Sequence, residues 1–151
     1  MTSLKIIILL ICAQFWLQSE RNECLSLVKT NSKLNRDTLI ITCFDTQILI
    51  KKKDFKIEID SSTSKLLNLW SICANRKCIA QQLEKQSSFL WGIEVSELSK
   101  ILGKPDYIRA TDSYYYFLEH CNRPIGEALK FRVVLMINDP NIVFSALINS
   151  D

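Results

Sequence analysis

Residues 92–105 carry the clearest structural pattern in the chain, and they read Gly92-Ile93-Glu94-Val95-Ser96-Glu97-Leu98-Ser99-Lys100-Ile101-Leu102-Gly103-Lys104-Pro105. Leu98, Ile101 and Leu102 recur at helical spacing along this segment. The spacing predicts a short helix with one apolar face.

Residue type specifies both ends of this helix. Glu97 lies three residues after a potential cap at Glu94, so its carboxylate can accept a hydrogen bond from a free backbone N–H in a capping box. Gly103 supplies the left-handed residue that often ends a helix, and Pro105 prevents the helix from resuming. We therefore predict one short helix followed by extended chain.

The chain after Pro105 has strand character up to its C-terminus. Residues 114–118 (Tyr-Tyr-Tyr-Phe-Leu) form the first predicted strand, and residues 129–137 form the second, with apolar residues alternating on one face. Residues 138–141 (Asn-Asp-Pro-Asn) have strong turn chemistry. Residues 142–148 are therefore predicted to return as a third, antiparallel strand.

A helical stretch lies before residues 92–105. Residues 65–85 contain neither Gly nor Pro, and their apolar residues form one stripe from Leu66 to Cys73 and another at Ile79 and Leu83. This pattern predicts one helix bent near Asn75, or two short helices. The order of elements predicts an α+β fold, with two helices packed on a three-stranded antiparallel sheet in residues 63–151.

Residues 20–62 are interpreted as a small N-terminal β region that precedes this fold. Residues 39–43 and 48–50 are rich in branched side chains, which are typical of strands. Residues 55–59 (Phe-Lys-Ile-Glu-Ile) alternate, which predicts one buried face. Lys51-Lys52-Lys53 is interpreted as a solvated edge or turn. Contact with anionic lipid is the alternative.

The N-terminus predicts export. Residues 6–17 form an apolar run interrupted only by Gln14. The run is shorter than a membrane span, which needs about 20 residues, and it fits the core of a secretory signal peptide. We therefore expect residues 1–19 to be a signal peptide that is absent from the mature protein. Leu9-Leu10-Ile11-Cys12 also resembles a bacterial lipobox, so lipidation of Cys12 is an alternative, and a buried N-terminal helix or strand is another.

Export makes disulfides available to the six cysteines of the chain. Without Cys12 five remain, so at least one thiol is left over or pairs between chains. Cys73 and Cys78 are closest in sequence, but residues five apart on an unbroken helix point about 140° apart. They can pair only if the helix breaks between them. We favour that pair, with Cys24–Cys43 as the second.

The remaining composition argues against several classes of function. A formal net charge of +3 and a pI near 8.5 are too mild to predict nucleic-acid binding. The sequence has no Gly-rich phosphate loop. His120 is the only histidine, and a thiol or hydrolytic enzyme would have to use it, with Cys121 beside it. We expect no catalytic residues, no metal, no cofactor and no small-molecule substrate.

Residues 92–116 resemble the SmpA/OmlA family, the BamE-like small lipoproteins of the bacterial outer membrane. The resemblance rests on Gly92-Ile93 at the start of the helix, Leu98 within it, Leu102-Gly103-Lys104-Pro105 at its end, and the aromatic strand Tyr114-Tyr115-Tyr116. It covers about residues 65–151. It implies two helices on a three-stranded antiparallel sheet, a fold that proteins of the β-lactamase-inhibitor type share, and a role in outer-membrane assembly.

We therefore expect a non-catalytic, exported protein-binding module of the bacterial cell envelope, in the periplasm or at the periplasmic face of the outer membrane. Its partner is expected to be a protein, with association with the membrane surface as an additional expectation. Tyr114, Tyr115 and Tyr116 are the candidate partner-binding residues, because alternation puts at least one ring on each sheet face and aromatic residues are enriched at interface centres. Packing within the fold is the other use of these rings. The alternative function is a secreted or periplasmic inhibitor or immunity protein that blocks a partner enzyme.

Overall fold

The computed structural model of this protein describes residues 36–43, 46–109, 112–119, 121 and 129–149. The chain divides into two compact units, residues 1–31 and 32–151, and every described element belongs to the second. The predicted signal peptide, Cys12, Cys24 and His120 lie outside the described residues. No helix in the described ranges has the length and hydrophobicity that a membrane crossing requires.

The described unit has an α+β fold with four helices and two antiparallel sheets. The first sheet contains β1 (Thr38–Cys43), β2 (Thr46–Lys53) and β3 (Lys56–Ile57), in that spatial order. The helices follow as α1 (Ser61–Ser71), α2 (Cys73–Lys85), α3 (Ser87–Leu90) and α4 (Val95–Leu102). The second sheet contains β4 (Tyr107–Arg109), β5 (Ser113–Phe117), β6 (Lys130–Met136) and β7 (Asp139–Asn149), again in chain order. The prediction of two helices on one three-stranded sheet is therefore too simple.

One hydrophobic core joins the two sheets and the helices. Side chains of β1 and β2, such as Leu39 and Ile50, belong to the same buried cluster as residues of all four helices, β6 and β7. Trp70 of α1 lies in this cluster, and its ring centroid is 5.6 Å from that of Tyr116 and 6.0 Å from that of Phe131. The strands assigned to an N-terminal β region therefore share a core with the elements that follow them.

The predicted alternation of residues 55–59 is wrong. Asp54 and Phe55 have φ angles of 50° and 62°, and Lys53 pairs with Lys56 across them. Two consecutive residues of positive φ are typical of a tight hairpin turn. Phe55 is therefore 51% exposed at the tip of the β2–β3 hairpin, and Ile59 is 68% exposed beyond the end of β3, while Ile57 alone is buried.

The predicted break in the helical stretch is confirmed, but at a different residue. Asp60 caps α1 by accepting hydrogen bonds from the backbone N–H groups of Ser62 and Thr63. Ile72 adopts an extended conformation, with φ −84° and ψ 110°, and separates α1 from α2. Asn75 therefore lies within α2 rather than at the break.

Helix α4 buries the apolar face that its spacing predicts, because Leu98, Ile101 and Leu102 are all nearly inaccessible to solvent. The capping box is wrong. Glu97 Oε2 accepts a hydrogen bond from the backbone N–H of Ile57 at 2.8 Å, and Oε1 accepts one from Lys100 Nζ at 2.6 Å. A buried backbone N–H at the edge of β3 needs an acceptor, and Glu97 supplies it.

The three predicted C-terminal strands are confirmed as β5, β6 and β7, and β4 adds a short fourth strand. The turn lies at residues 137–138, and β7 already begins at Asp139. Met136 pairs with Asp139 but Leu135 pairs with Val143, so residues 140–142 form a bulge. This bulge accommodates Pro140, which has no N–H to donate to a strand ladder.

Side chains of α2 (Gln82 and Glu84) and of its C-cap residue, Gln86, bond to the outer edge strands of both sheets. Gln86 accepts from the N–H of Ile40 at 3.0 Å and donates to its carbonyl at 2.7 Å. Gln82 makes the same two bonds to Thr42, each at 2.7 Å. Glu84 accepts a hydrogen bond from the N–H of Ile148 in β7 at 2.8 Å. One helix therefore satisfies backbone groups of two different edge strands.

Replacing Gly103 by Val is expected to destabilise the fold by about 1–3 kcal/mol, since this backbone conformation is almost restricted to glycine. Gly103 has φ 67° and ψ −158°, so the predicted positive φ is confirmed, although ψ differs from that of a left-handed helix. A Cβ would have room, because its nearest contact is Leu67 Cδ1 at 3.5 Å. Urea unfolding measures the change, and Lys104→Val is the control. Equal stability of Gly103→Val and the native chain would contradict the expected strain.

Replacing Glu97 by Gln is expected to weaken the dependence of stability on acidic pH. Burial acts to raise the pKa of Glu97, but hydrogen bonds from Lys100 and Ile57 and the charges of Lys100 and Lys56 outweigh it, so the pKa is lowered from 4.5. The carboxylate therefore contributes stability above the pKa of the unfolded chain and loses it as pH falls through the lower pKa of the folded chain.

Unfolding free energies from pH 7 to pH 3 test this expectation for Glu97. The native chain should lose more stability below about pH 4.5 than Glu97→Gln does. Glu58→Gln, at an exposed position, is the control. Parallel pH profiles for the native chain and Glu97→Gln would contradict the lowered pKa of Glu97.

Candidate functional site

Three half-exposed aromatic side chains from distant parts of the chain form one row, which we call the aromatic strip. Phe55 is 51% exposed, Trp91 43% and Phe144 56%. The rings of Phe55 and Trp91 meet edge to face with centroids 6.3 Å apart. Trp91 and Phe144 line a common groove. Large apolar side chains that are exposed side by side are typical of interaction sites.

The groove next to the strip is open and has a volume of about 300 Å³. Its lining residues are Arg36, Ser87, Ser88, Trp91, Phe144 and Ser145. The two rings supply apolar walls, the three serines supply hydroxyl groups, and Arg36 supplies a positive charge. Ligand pockets typically begin at about this size and combine apolar walls with a few polar groups.

Phe55 and Gly92 fit against each other. A Cβ atom at Gly92 would lie 2.7 Å from Phe55 Cε1, closer than two carbons can approach without a shift. Gly92 also has a φ of 79°, which glycine adopts at no steric cost. The missing side chain therefore lets the hairpin tip lie beside Trp91.

Lys52 is buried beside the aromatic strip and binds the backbone next to Trp91. It is only 7% exposed, and its ammonium donates to the carbonyl of Phe89 at 2.6 Å and to that of Trp91 at 3.3 Å. The same ammonium lies 5.7 Å from the ring centroid of Phe55. Burial lowers the pKa of Lys52, nearby Asp37 opposes the shift, and Arg36 adds to it. These contacts fix the backbone on which Trp91 is carried.

The lysine run therefore differs in part from its predicted role. Lys51 and Lys53 are exposed, as a solvated edge requires, but Lys52 points to the opposite side of β2 and is buried. Side chains alternate between the two faces of a strand, so the three neighbours cannot share one environment.

Phe144 is exposed because of an irregularity in β7. Leu135 pairs with Val143 and Val134 pairs with Ser145, so Phe144 is an extra residue between two pairs. Such bulges redirect side chains and are frequent near functional sites. On the other side of β7, the backbone of Val143 accepts from Gly92 N–H and donates to Ile93 O, each at 2.9 Å. These bonds keep β7 beside Trp91.

The structure corrects both predicted disulfides. Cys73 pairs with Cys121, with an S–S distance of 2.09 Å. Cys73 does not pair with Cys78 because the helix breaks before Cys73, so both lie on the unbroken α2 and point apart. Cys78 is disulfide-bonded as well. Cys43 is a free, buried thiol whose pKa burial raises, so the Cys24–Cys43 pair is absent.

The disulfide also bears on the predicted enzyme alternative. Cys121 is bonded to Cys73 and therefore has no thiolate to act as a nucleophile in this state. Within the described residues, no cluster of three or more His, Cys, Asp or Glu side chains could hold a metal ion.

The tyrosines that we predicted as partner-binding residues are largely covered. Tyr116 is 1% exposed and donates to the carbonyl of Gly103 at 3.3 Å, and burial, with Asp106 nearby, raises its pKa. Tyr115 is 2% exposed on the opposite sheet face, beside Tyr107. Tyr114 is half-buried. Their role in partner binding stays a prediction.

The sequence contained one usable signal for the aromatic strip. Trp91 directly precedes Gly92, and glycine is typical of turns, which lie on the protein surface. Phe144 is more difficult to find, because its exposure depends on a register shift that local sequence does not encode.

No protein-family model matches this chain, and no curated protein or solved structure matches it. The resemblance to the SmpA/OmlA family therefore rests on the quoted residues alone.

Proposed function

We propose that this chain is a non-catalytic, exported protein-binding module that contacts its partner through the aromatic strip. The observation that carries the proposal is the row of Phe55, Trp91 and Phe144, all about half exposed and continuous with a groove. Tryptophan and other aromatic side chains dominate the energetic centres of protein interfaces. The aromatic strip exposes such side chains to solvent, and none of the three belongs to the hydrophobic core of the described residues.

The backbone that carries the strip is well ordered by its contacts, which favours binding. Lys52 binds the carbonyls next to Trp91, and β7 is bonded to Gly92 and Ile93 beside it. A surface that is already fixed loses less conformational entropy when a partner binds. The strip therefore suits recognition without a large rearrangement.

Export is supported by the cysteine chemistry. Cys73–Cys121 is a disulfide, and Cys78 is disulfide-bonded as well. Structural disulfides persist in oxidising compartments such as the bacterial periplasm and the extracellular space. Together with the expected signal peptide and the resemblance to outer-membrane assembly lipoproteins, this chemistry supports action at the bacterial cell envelope, in the periplasm or at the periplasmic face of the outer membrane.

An inhibitor or immunity protein is the second candidate, and the β2–β3 hairpin favours it. Phe55 stands at the tip of a two-residue turn and is half exposed. A rigid hairpin with an apolar tip can enter the active site of an enzyme. In this case Phe55, rather than Trp91 and Phe144, would dominate binding.

Site-specific photo-crosslinking in cells that express the chain naturally tests the proposed function. A crosslinking residue at position 144 is expected to join the chain to one envelope protein. The same residue at position 107 is the control, because Tyr107 is 54% exposed but lies on β4, away from the groove. Trp91→Ser should abolish the adduct formed at position 144.

The pattern of adducts separates the two candidates. Adducts that depend on Trp91 support the binding module, while adducts with an enzyme that depend on Phe55 alone support the inhibitor. If positions 107 and 144 give the same products, or neither gives any, the aromatic strip is not the interface.

A further inference from the structure

The groove beside the aromatic strip has an uneven charge. Of the lining residues that belong to the described part of the chain, Arg36 alone is charged and none is a carboxylate. Among the described residues, the salt bridges join Arg76 to Asp106, Lys77 to Glu119 and Lys100 to Glu97, so Arg36 is in none of them. Asp37 follows Arg36 in sequence but is not part of the lining.

A second positive charge, that of Lys52, lies beside the backbone of Trp91, and the nearby carboxylate of Asp37 offsets part of it. The ammonium of Lys52 is 3.3 Å from the carbonyl oxygen of Trp91, whose side chain forms one wall. Charges that are partly shielded from water act over longer distances than exposed ones. The groove therefore favours an anionic group, and the guanidinium of Arg36 has the planar geometry that matches a carboxylate.

The other lining residues indicate what accompanies this anion. Trp91 and Phe144 leave an apolar gap between them, and Ser87, Ser88 and Ser145 offer hydroxyl groups that donate and accept hydrogen bonds. A volume of about 300 Å³ accommodates one or two side chains rather than a folded element. Peptide segments combine an apolar side chain, a carboxylate and backbone groups at this scale.

We propose that the groove binds a segment of the partner protein in which an apolar side chain lies next to an Asp or Glu. The apolar side chain enters between Trp91 and Phe144, the carboxylate pairs with Arg36, and the serine hydroxyls bond to the backbone of the segment. The inference rests on the proposed function, because it names the chemistry of the partner at the same surface.

Selection of random dodecapeptides displayed on phage, against the purified full chain with its disulfides intact, identifies the preferred chemistry. The expected result is enrichment of peptides that place Phe, Leu, Ile or Trp beside Asp or Glu. Synthetic copies of these peptides are then titrated against the chain by fluorescence anisotropy. Arg36→Gln should weaken binding by at least about tenfold, since a bond between charged groups is lost. Lys53→Gln, at an exposed lysine outside the groove, should leave it unchanged.

A double-mutant cycle identifies the contact itself. Replacing the peptide's Asp by Asn should weaken binding to the native chain but not weaken binding to Arg36→Gln any further. Trp91→Ser and Phe144→Ser should each weaken binding regardless of the acidic residue. Tyr107→Ser, which removes an equally exposed ring elsewhere, should have no effect.

Each other outcome overturns the inference in a distinguishable way. Peptides that need Trp91 and Phe144 but not Arg36 or an acid would overturn the carboxylate contact and leave the proposed function standing. If the enriched peptides bind equally well after Trp91, Phe144 or Arg36 is replaced, both the carboxylate contact and the proposed function are contradicted. No enrichment would show that the groove does not bind short segments, and the crosslinking result would then decide the proposed function separately. Binding to phosphatidylglycerol vesicles that is lost in Trp91→Ser would assign the strip to lipid instead.

Discussion

The side-chain amides of Gln82 and Gln86 complete the open edge of β1, and the arrangement of the unit depends on them. Each amide accepts from an N–H and donates to a carbonyl of the same residue, Thr42 or Ile40, as a neighbouring strand would. The fit follows from geometry, because four residues of helix rise about 6.0 Å and two residues of strand extend about 6.6 Å. An uncovered edge would invite pairing with other chains.

Helix α2 also bonds to the second sheet, through Glu84 near its C-terminal end and Arg76 near its N-terminal end. Glu84 binds Ile148 of β7, while Arg76 pairs with Asp106 at 2.6 Å and donates to the carbonyl of Phe117 at 3.2 Å. The Cys73–Cys121 disulfide adds a covalent link at the first residue of α2. Helix α2 is therefore the joint between the sheets. The segment that follows it carries Trp91 to the edge of β7, where the groove forms.

Local sequence patterns predict most of the helices and strands. They do not predict which residues distant in sequence form hydrogen bonds or disulfides with each other. The apolar spacing of Leu98, Ile101 and Leu102 suffices to predict α4. A helix with one apolar face can be recognised without knowing which elements pack against that face. Glu97 has the correct spacing for a capping box, yet its partner is Ile57, which lies 40 residues away. Likewise, Cys73 bonds to a residue 48 positions away, and no local feature distinguishes that partner from Cys78. The Asp54-Phe55 turn lacks the Gly or Asn that usually indicates positive φ, so the sequence pattern places Phe55 in a strand instead.

The most direct test of α2 as the joint is amide hydrogen exchange, followed by NMR at Ile40 and Thr42. In the native chain both amides are expected to be protected, although they point away from β2. In the Gln82→Ala/Gln86→Ala variant they should exchange at least about tenfold faster, because each amide loses the side-chain oxygen that accepts its hydrogen bond. Ile41, which faces β2, should change less, and Gln81→Ala on the same helix should change neither. Unprotected amides at Ile40 and Thr42 in the native chain, or unchanged exchange in the double variant, would contradict the account.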